Sequence, residues 1–227
     1  MFPKNVRFVD LSQKLENGIP LAGVLPRFSL WQCLEKRVGD SVNCQALLIS
    51  DHTGTHCDAP RHVFNDGKSI DAYPPEAYSG TALCLDVRSC DEKAITAEAI
   101  EEAEKSAARP IQKEDIVLLC TNHSRHWAPI PEGYAYLKNR PWVDPKAAEY
   151  LISKEIKAIG LDVGGPDPLG GDRHIIHEML LSKDIMIIES MTNLEEIINM
   201  EVFLCCFPIK IGGGTGAPAR AVAMIEE

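Results

Sequence analysis

Residues 51–62 read DHTGTHCDAPRH, which sets His52, His56 and His62, three of the chain's seven histidines, beside Asp51 and Asp58. On a helix His52 and His56 would share a face at i, i+4. Gly54 between them and Pro60 just beyond oppose a helix through the whole segment. The reading is therefore a strand end turning into a loop, following the apolar run ALLIS (46–50) and placed at a sheet edge, where loops carry function on a rigid base. In extended backbone alternate side chains point to opposite faces, so His56 and Asp58 share one face and Cys57 points away. Two imidazoles and a carboxylate suit zinc, and also manganese or iron, and a fourth position left to water is the arrangement of a catalytic ion. The plainer alternative is a group of surface or hydrogen-bonded histidines without metal. Four potential ligands, His52, His56, Asp58 and His62, spaced this tightly on a segment broken by Gly and Pro favour the ion.

Outward from this segment, apolar runs predict further strands at 81–87, 115–121, 156–162, 185–190 and 202–211. Helices are predicted at 96–109 (Thr96 as N-cap, stopped by Pro110), at 144–155 (Asp144 as N-cap, Pro145 at the first helical position), at 173–182 and at 193–200. Strands alternating with helices indicate α/β layering, and the close spacing of strands after residue 184 indicates some antiparallel pairing. No stretch has a linker's composition, so residues 1–227 read as one domain.

The composition of the 227 residues, 45% hydrophobic and 25% charged, is that of a soluble globular protein. A net charge of -10 argues against nucleic acid and against an anionic membrane surface. No apolar stretch approaches the roughly 20 residues that span a bilayer. Eight cysteines without a C-x-x-C pair or an export signal read as reduced thiols of a cytoplasmic protein, with Cys205 and Cys206 as core filler. The stretch IGGGTGAP (211–218) lacks the Gly-Lys-Ser/Thr ending of a phosphate loop and reads as a tight turn near the site. Phe28, Trp31, His123 and Trp127 are candidate substrate contacts, with core or loop packing as the alternative for each. Glu189 ends the apolar run IMII, where a carboxylate is costly to bury unless it is paired or coordinated.

HTGTHCDAPRH resembles the H-x-G-T-H-x-D-x-P-x-H signature of the metal-dependent cyclase-like hydrolases, which include bacterial kynurenine formamidase and isatin hydrolase. VDLSQKLENGIP (9–20) is similar to that family's D-L-S opening, GLDVGGPDP (160–168) to its central G-x-D turn and GAPARAVAMI (216–225) to its closing segment, so the resemblance spans nearly the whole chain. It implies a single-domain α/β fold of swivelling β/β/α architecture with a mixed sheet, assembled as a homodimer or homotetramer and acting on a small molecule. It assigns His52, His56 and Asp58 to a first divalent ion, zinc or manganese. Asp58 would bridge to a second ion completed by His177 and Glu189, with His174 one turn earlier as a competitor for His177. It leaves His62 free of metal as general acid/base for hydroxide attack on a carbonyl. The implied activity is arylformamidase-like hydrolysis of a C–N bond. Alternatives are isatin-type opening of a cyclic amide, a cyclase or dehydratase without net hydrolysis, and a non-enzymatic module that binds metal or a small acid.

Overall fold

A computed structural model describes residues 5–21, 25–171 and 173–226. In chain order its strands are β1 (Val6–Asp10), β2 (Ser29–Leu34), β3 (Cys44–Leu48), β4 (His56–Asp58), β5 (Ser79–Asp86), β6 (Ala94–Ile95), β7 (Ile116–Cys120), β8 (Trp142–Val143), β9 (Ala158–Leu161), β10 (Met186–Glu189), β11 (Glu201–Pro208) and β12 (Gly216–Glu226). The helices are α1 (Ala97–Ser106), α2 (Tyr134–Leu137), α3 (Pro145–Ser153) and α4 (Ile175–Leu181). Thr96 caps α1 by accepting the amide of Ala99, and Asp144 caps α3 by accepting the amides of Lys146 and Ala147 ahead of Pro145.

The main sheet runs β1-β12-β11-β5-β7-β9-β10-β4, and β4 pairs again with β12, which closes seven of the strands into a ring. Strand β12 is long enough to serve two partners along one edge. Its residues 216–218 pair with β4, and 222–226 pair with β1. Strands β5, β7, β9 and β10 are parallel, while β4, β11 and β12 join antiparallel, so the sheet is mixed as expected. Parallel neighbours need crossover connections, and α1, α3 and α4 lie in them.

Period-two alternation sorts the strand residues into two cores. Ala82, Cys84, Leu118 and Ile188 pack with Cys57 and with Ala217, Ala221 and Ala223 of β12. Their neighbours Leu83, Leu85, Val117, Leu119, Ile159, Leu161 and Ile187 pack against Ile100, Ala147, Leu151, Ile176 and Leu180 of the helices. The first core is therefore the ring interior, where the alanines of β12 suit a narrow space, and the second lies under the helices. Cys57 belongs to the interior, its Sγ 3.5 Å from that of Cys206. His56 and Asp58 must then face the helices, on the same side as Ile187 and Glu189.

Three expectations are corrected. The 46–50 run is not the strand that ends in the histidine segment: β3 forms an exposed two-stranded hairpin with β2, outside the ring. Within the histidine segment only His56–Asp58 form a strand, β4, and it is paired on both sides, with β10 and β12, and so lies at no sheet edge. Residues 193–200 hold only a 3-10 turn, Leu194–Ile197, because Asn193 is left-handed (φ 55) and one turn already inserts Leu194 and Ile197 into the core. Cys206 is buried as expected, whereas Cys205 is half-buried on the outer face of β11. Strands β1, β2 and β12 go beyond the runs that apolar patterning picks out.

Because Cys57 fills the ring interior and points away from the histidines, Cys57→Ala should lower unfolding free energy by about 1 kcal/mol and leave bound metal unchanged. Denaturant titration with elemental analysis checks this, and loss of metal would contradict the facing of β4.

Candidate metal centre

The register of β4 on β10 brings the site together. Glu189 pairs with His56 and Ile187 with Asp58, so two carboxylates and an imidazole rise from one face of adjacent strands. His52 enters from the turn before β4, where Gly54 takes a left-handed conformation (φ 63). Its ring packs against Gly216, where a Cβ would come within 2.7 Å of His52 Cε1 and of the Cys57 carbonyl oxygen. His177 descends from α4. His62 ends the 3-10 turn Pro60–His62, with Pro60 at its first position.

Asp58 is fully buried and lies at the middle. Its Oδ1 is 2.8 Å from His52 Nδ1 and 3.4 Å from His56 Nε2, and its Oδ2 is 3.4 Å from His177 Nε2. Glu189 Oε2 lies 3.4 Å from His56 Nε2, and Oε1 lies 3.1 Å from His177 Nε2. Two sets of three ligand atoms, from His52, His56 and Asp58 and from Asp58, His177 and Glu189, each fall within 4.8 Å of one another, with Asp58 common to both. A third such set joins Asp167 and the exposed His174 to His177, so His174 sits beside the centre rather than in place of His177.

Each of these imidazoles is held from behind through its second ring nitrogen. His56 Nδ1 lies 2.8 Å from the Gly54 carbonyl oxygen, and His177 Nδ1 meets Asp167 Oδ2. His52 Nε2 lies 2.8 Å from the Thr215 hydroxyl, which donates to Asp51 at 2.6 Å. Nitrogens that donate outward in this way present bare nitrogens to Asp58 and Glu189, an arrangement that asks for a cation between them. Asp58 Oδ2, buried and without a hydrogen-bond partner, asks for the same. The donor set therefore fits a divalent ion.

Electrostatics agree. Burial works against charge on Asp58, but the facing imidazoles of His177, His52 and His56 hold its carboxyl well below the usual range. Burial likewise opposes charge on His56, yet Asp58, Glu189 and the Gly54 carbonyl outweigh it and raise its pKa to about 9. His177 moves up for the corresponding reason, under Asp167, Asp58 and Glu189. His62 moves the other way, to about 4, because burial and the His52 and His177 rings outweigh the attraction of Asp58 and Glu189. Its ring centroid is 4.0 Å from that of His52 and 5.3 Å from that of His177. In the metal-free protein, then, protons on His56 and His177 take the place of a cation, and His62 stays neutral.

The centre forms the floor of a cavity of about 490 Å³, whose walls include Leu21, Leu25, Trp127, Tyr136, Arg140 and Leu169. Of the aromatic candidates from sequence, Trp127 lines this cavity, stacked edge-on against Tyr136 at 5.0 Å. His123 is buried behind it, 3.1 Å from the Tyr136 carbonyl oxygen. Phe28 is buried, and Trp31 stands exposed on β2. Sequence reading passed over Asp167, Thr215, Tyr136 and Arg140. Asp167 has a local signal, since it precedes α4 and accepts the amides of Ile176 and His177, and Thr215 falls within the 211–218 turn. The 211–218 turn does lie at the site, through Thr215 and Gly216.

The family described as "Putative cyclase" matches residues 9–168. Kynurenine formamidase of Bacillus cereus (strain ATCC 14579) is 30% identical over 219 residues, covering 96% of this chain and 98% of that protein. Isatin hydrolase A from Labrenzia aggregata, solved with benzyl benzoate, superposes with a TM-score of 0.85 at 28% identity, covering 98% and 94% of the two chains. An isatin hydrolase bound to the product analogue thioisatinate shares the fold at TM-score 0.87 and 23% identity, covering 98% and 93%.

A cation held by these imidazoles would compete with their protons, which gives a pH signature. The raised pKa of His56 stabilises the metal-free fold fully below the unfolded value of ~6.5, and that stability is lost as pH rises through about 9. Chelator-treated protein should therefore melt at progressively lower temperature from pH 7 to 9, and a stoichiometric divalent ion should restore it, with a gain that grows with pH. Thermal unfolding across this range decides; an ion-induced gain that stays flat with pH contradicts the assignment.

Proposed function

The chain belongs to the cyclase family, and on that premise we propose that it is a metal-dependent hydrolase of a non-peptide C–N bond, acting on a small aryl formamide in the manner of kynurenine formamidase. The observation that carries this reading is the meeting of two three-ligand sets at the shared, fully buried Asp58, on the floor of a cavity with aromatic and aliphatic walls. His52, His56 and Asp58 would hold one divalent ion, and Asp58, His177 and Glu189 would hold a second, each zinc or manganese. Such ions lower the pKa of bound water and polarise a carbonyl.

The chain's own residues supply positioning and proton transfer. Leu21, Leu25, Trp127 and Leu169 receive the aryl group and exclude water around the scissile carbonyl. His62, neutral at physiological pH, has a ring nitrogen able to accept the proton of the attacking water. It then delivers that proton to the amine nitrogen as the C–N bond of the tetrahedral intermediate breaks, leaving amine and formate. Opening of a cyclic amide uses the same groups with the two products left joined, and the likeness to isatin hydrolase A supports it as the second reading.

Other features fit this picture. Every ring strand from β5 to β10 feeds both cores, which supports reading the chain as one domain. The hairpin β2–β3 exposes Trp31, Leu47 and Leu48, a surface suited to a homodimer or homotetramer. Among the described residues no helix is long and apolar enough to cross a membrane. All eight cysteines are free thiols, which supports a cytoplasmic location.

His62→Ala should keep both ions and reduce kcat on N-formylkynurenine by about 10²–10⁴-fold. Elemental analysis and steady-state kinetics on the same preparation check this. A variant that arrives empty of metal would make His62 a ligand, and one with undiminished kcat would remove it from the chemistry.

A further inference from the structure

Arg140 lies between α2 and β8 and is drawn into the cavity wall beside the metal centre. Its Nη1 donates to the Gly165 carbonyl, and this is its one hydrogen bond among the described residues. Gly165 is left-handed (φ 103), and the point where a Cβ would sit is 3.3 Å from Arg140 Nη2 and 3.5 Å from Glu189 Oε1. The guanidinium is thus a neighbour of the centre without being paired to it. Glu189 faces the His56 and His177 imidazoles instead, and Asp167 is taken up by His177 and the start of α4. A guanidinium carries five N–H donors in a planar fork. Here most of them have no protein acceptor, and the orphaned buried atoms of the site do not include them, so they open onto the cavity.

Withdrawing a cation from water is costly where the nearest carboxylates, Glu189 and Asp167, act on it only at a distance, and a bidentate carboxylate is the partner whose geometry matches the fork. Leu21, Leu25, Trp127 and Leu169 accept an aryl ring, Tyr136 adds one hydroxyl, and the other guanidinium of the lining, Arg173, is already paired with Glu178. We propose that Arg140 receives a carboxylate of the substrate, so that the preferred substrate is an anionic aryl amide rather than a neutral one. This rests on the amide-hydrolase reading and adds to it the charge of the substrate and the residue that selects it.

The test compares N-formylanthranilate with formanilide, which share the formyl-aniline bond and differ by one carboxylate, using metal-loaded wild type, Arg140→Gln and Arg140→Lys. The wild-type preference for the anion, as the ratio of kcat/KM values, should fall about 10²-fold in Arg140→Gln, mainly through KM, and by less in Arg140→Lys, which keeps the charge but not the fork. A ratio unchanged in both variants overturns the proposal. So does a parallel loss of kcat on both substrates, which would make Arg140 an electrostatic support for Glu189 or for the transition state. Calorimetric binding of anthranilate separates this proposal from the reading beneath it. If the wild type hydrolyses neither amide but binds anthranilate, and Arg140→Gln abolishes that binding, the anion site stands and amide hydrolysis falls. Binding retained in Arg140→Gln removes the anion site whatever the protein hydrolyses. Should Arg140→Gln fail to fold, Arg140→Lys carries the same comparisons.

Discussion

A carboxylate with no access to solvent, Asp58, is the constraint on which the rest of the structure depends. An isolated ionised carboxyl in that position would protonate rather than stay charged. It remains ionised because three imidazoles face it, and those imidazoles come from three separate pieces of chain: the turn before β4, β4 itself and α4. Holding them there requires β4 to be paired on both sides. It also requires β12 to close the ring through Gly216, and α4 to begin where Asp167 can cap it and orient His177. The fold and the site are in this sense one arrangement, since loosening any of these contacts leaves Asp58 buried without its compensating charges.

The outer hydrogen bonds explain why the centre should discriminate among the four histidines it contains. His52, His56 and His177 each have one nitrogen fixed by an acceptor on the scaffold and the other turned towards carboxylate. Among the described residues His62 has no such partner and no carboxylate in contact, and burial lowers its pKa to about 4. The first environment suits a metal ligand and the second a proton carrier, although all four side chains are chemically identical.

Much of this is legible in the sequence where the deciding physics is local. Alternation along an extended segment places His56 and Asp58 together and turns Cys57 away, as β4 does. The cost of burying Glu189 after IMII points to a partner, and Glu189 has two. Thr96 and Asp144 announce their helices. What was not legible depends on contacts between distant parts of the chain. The pairing of β4 with both β10 and β12 cannot be seen in a three-residue strand. β12 hides behind glycine and alanine, whose small side chains suit the narrow ring but carry little hydrophobic signal. ALLIS has the pattern of a core strand yet lies in an exposed hairpin, because apolar pattern does not reveal whether a partner surface exists. Arg140 reaches the centre only through folding, from a position beside no motif, and Thr215 sits in a turn whose glycines draw attention away from it.

Anomalous diffraction from crystals grown with Mn²⁺ or Zn²⁺ tests the central claim most directly. The account predicts two anomalous peaks flanking Asp58, one contacted by His52 and His56 and the other by His177 and Glu189, with His62 contacting neither ion. Peaks absent from Asp58, or a peak ligated by His62, would contradict it.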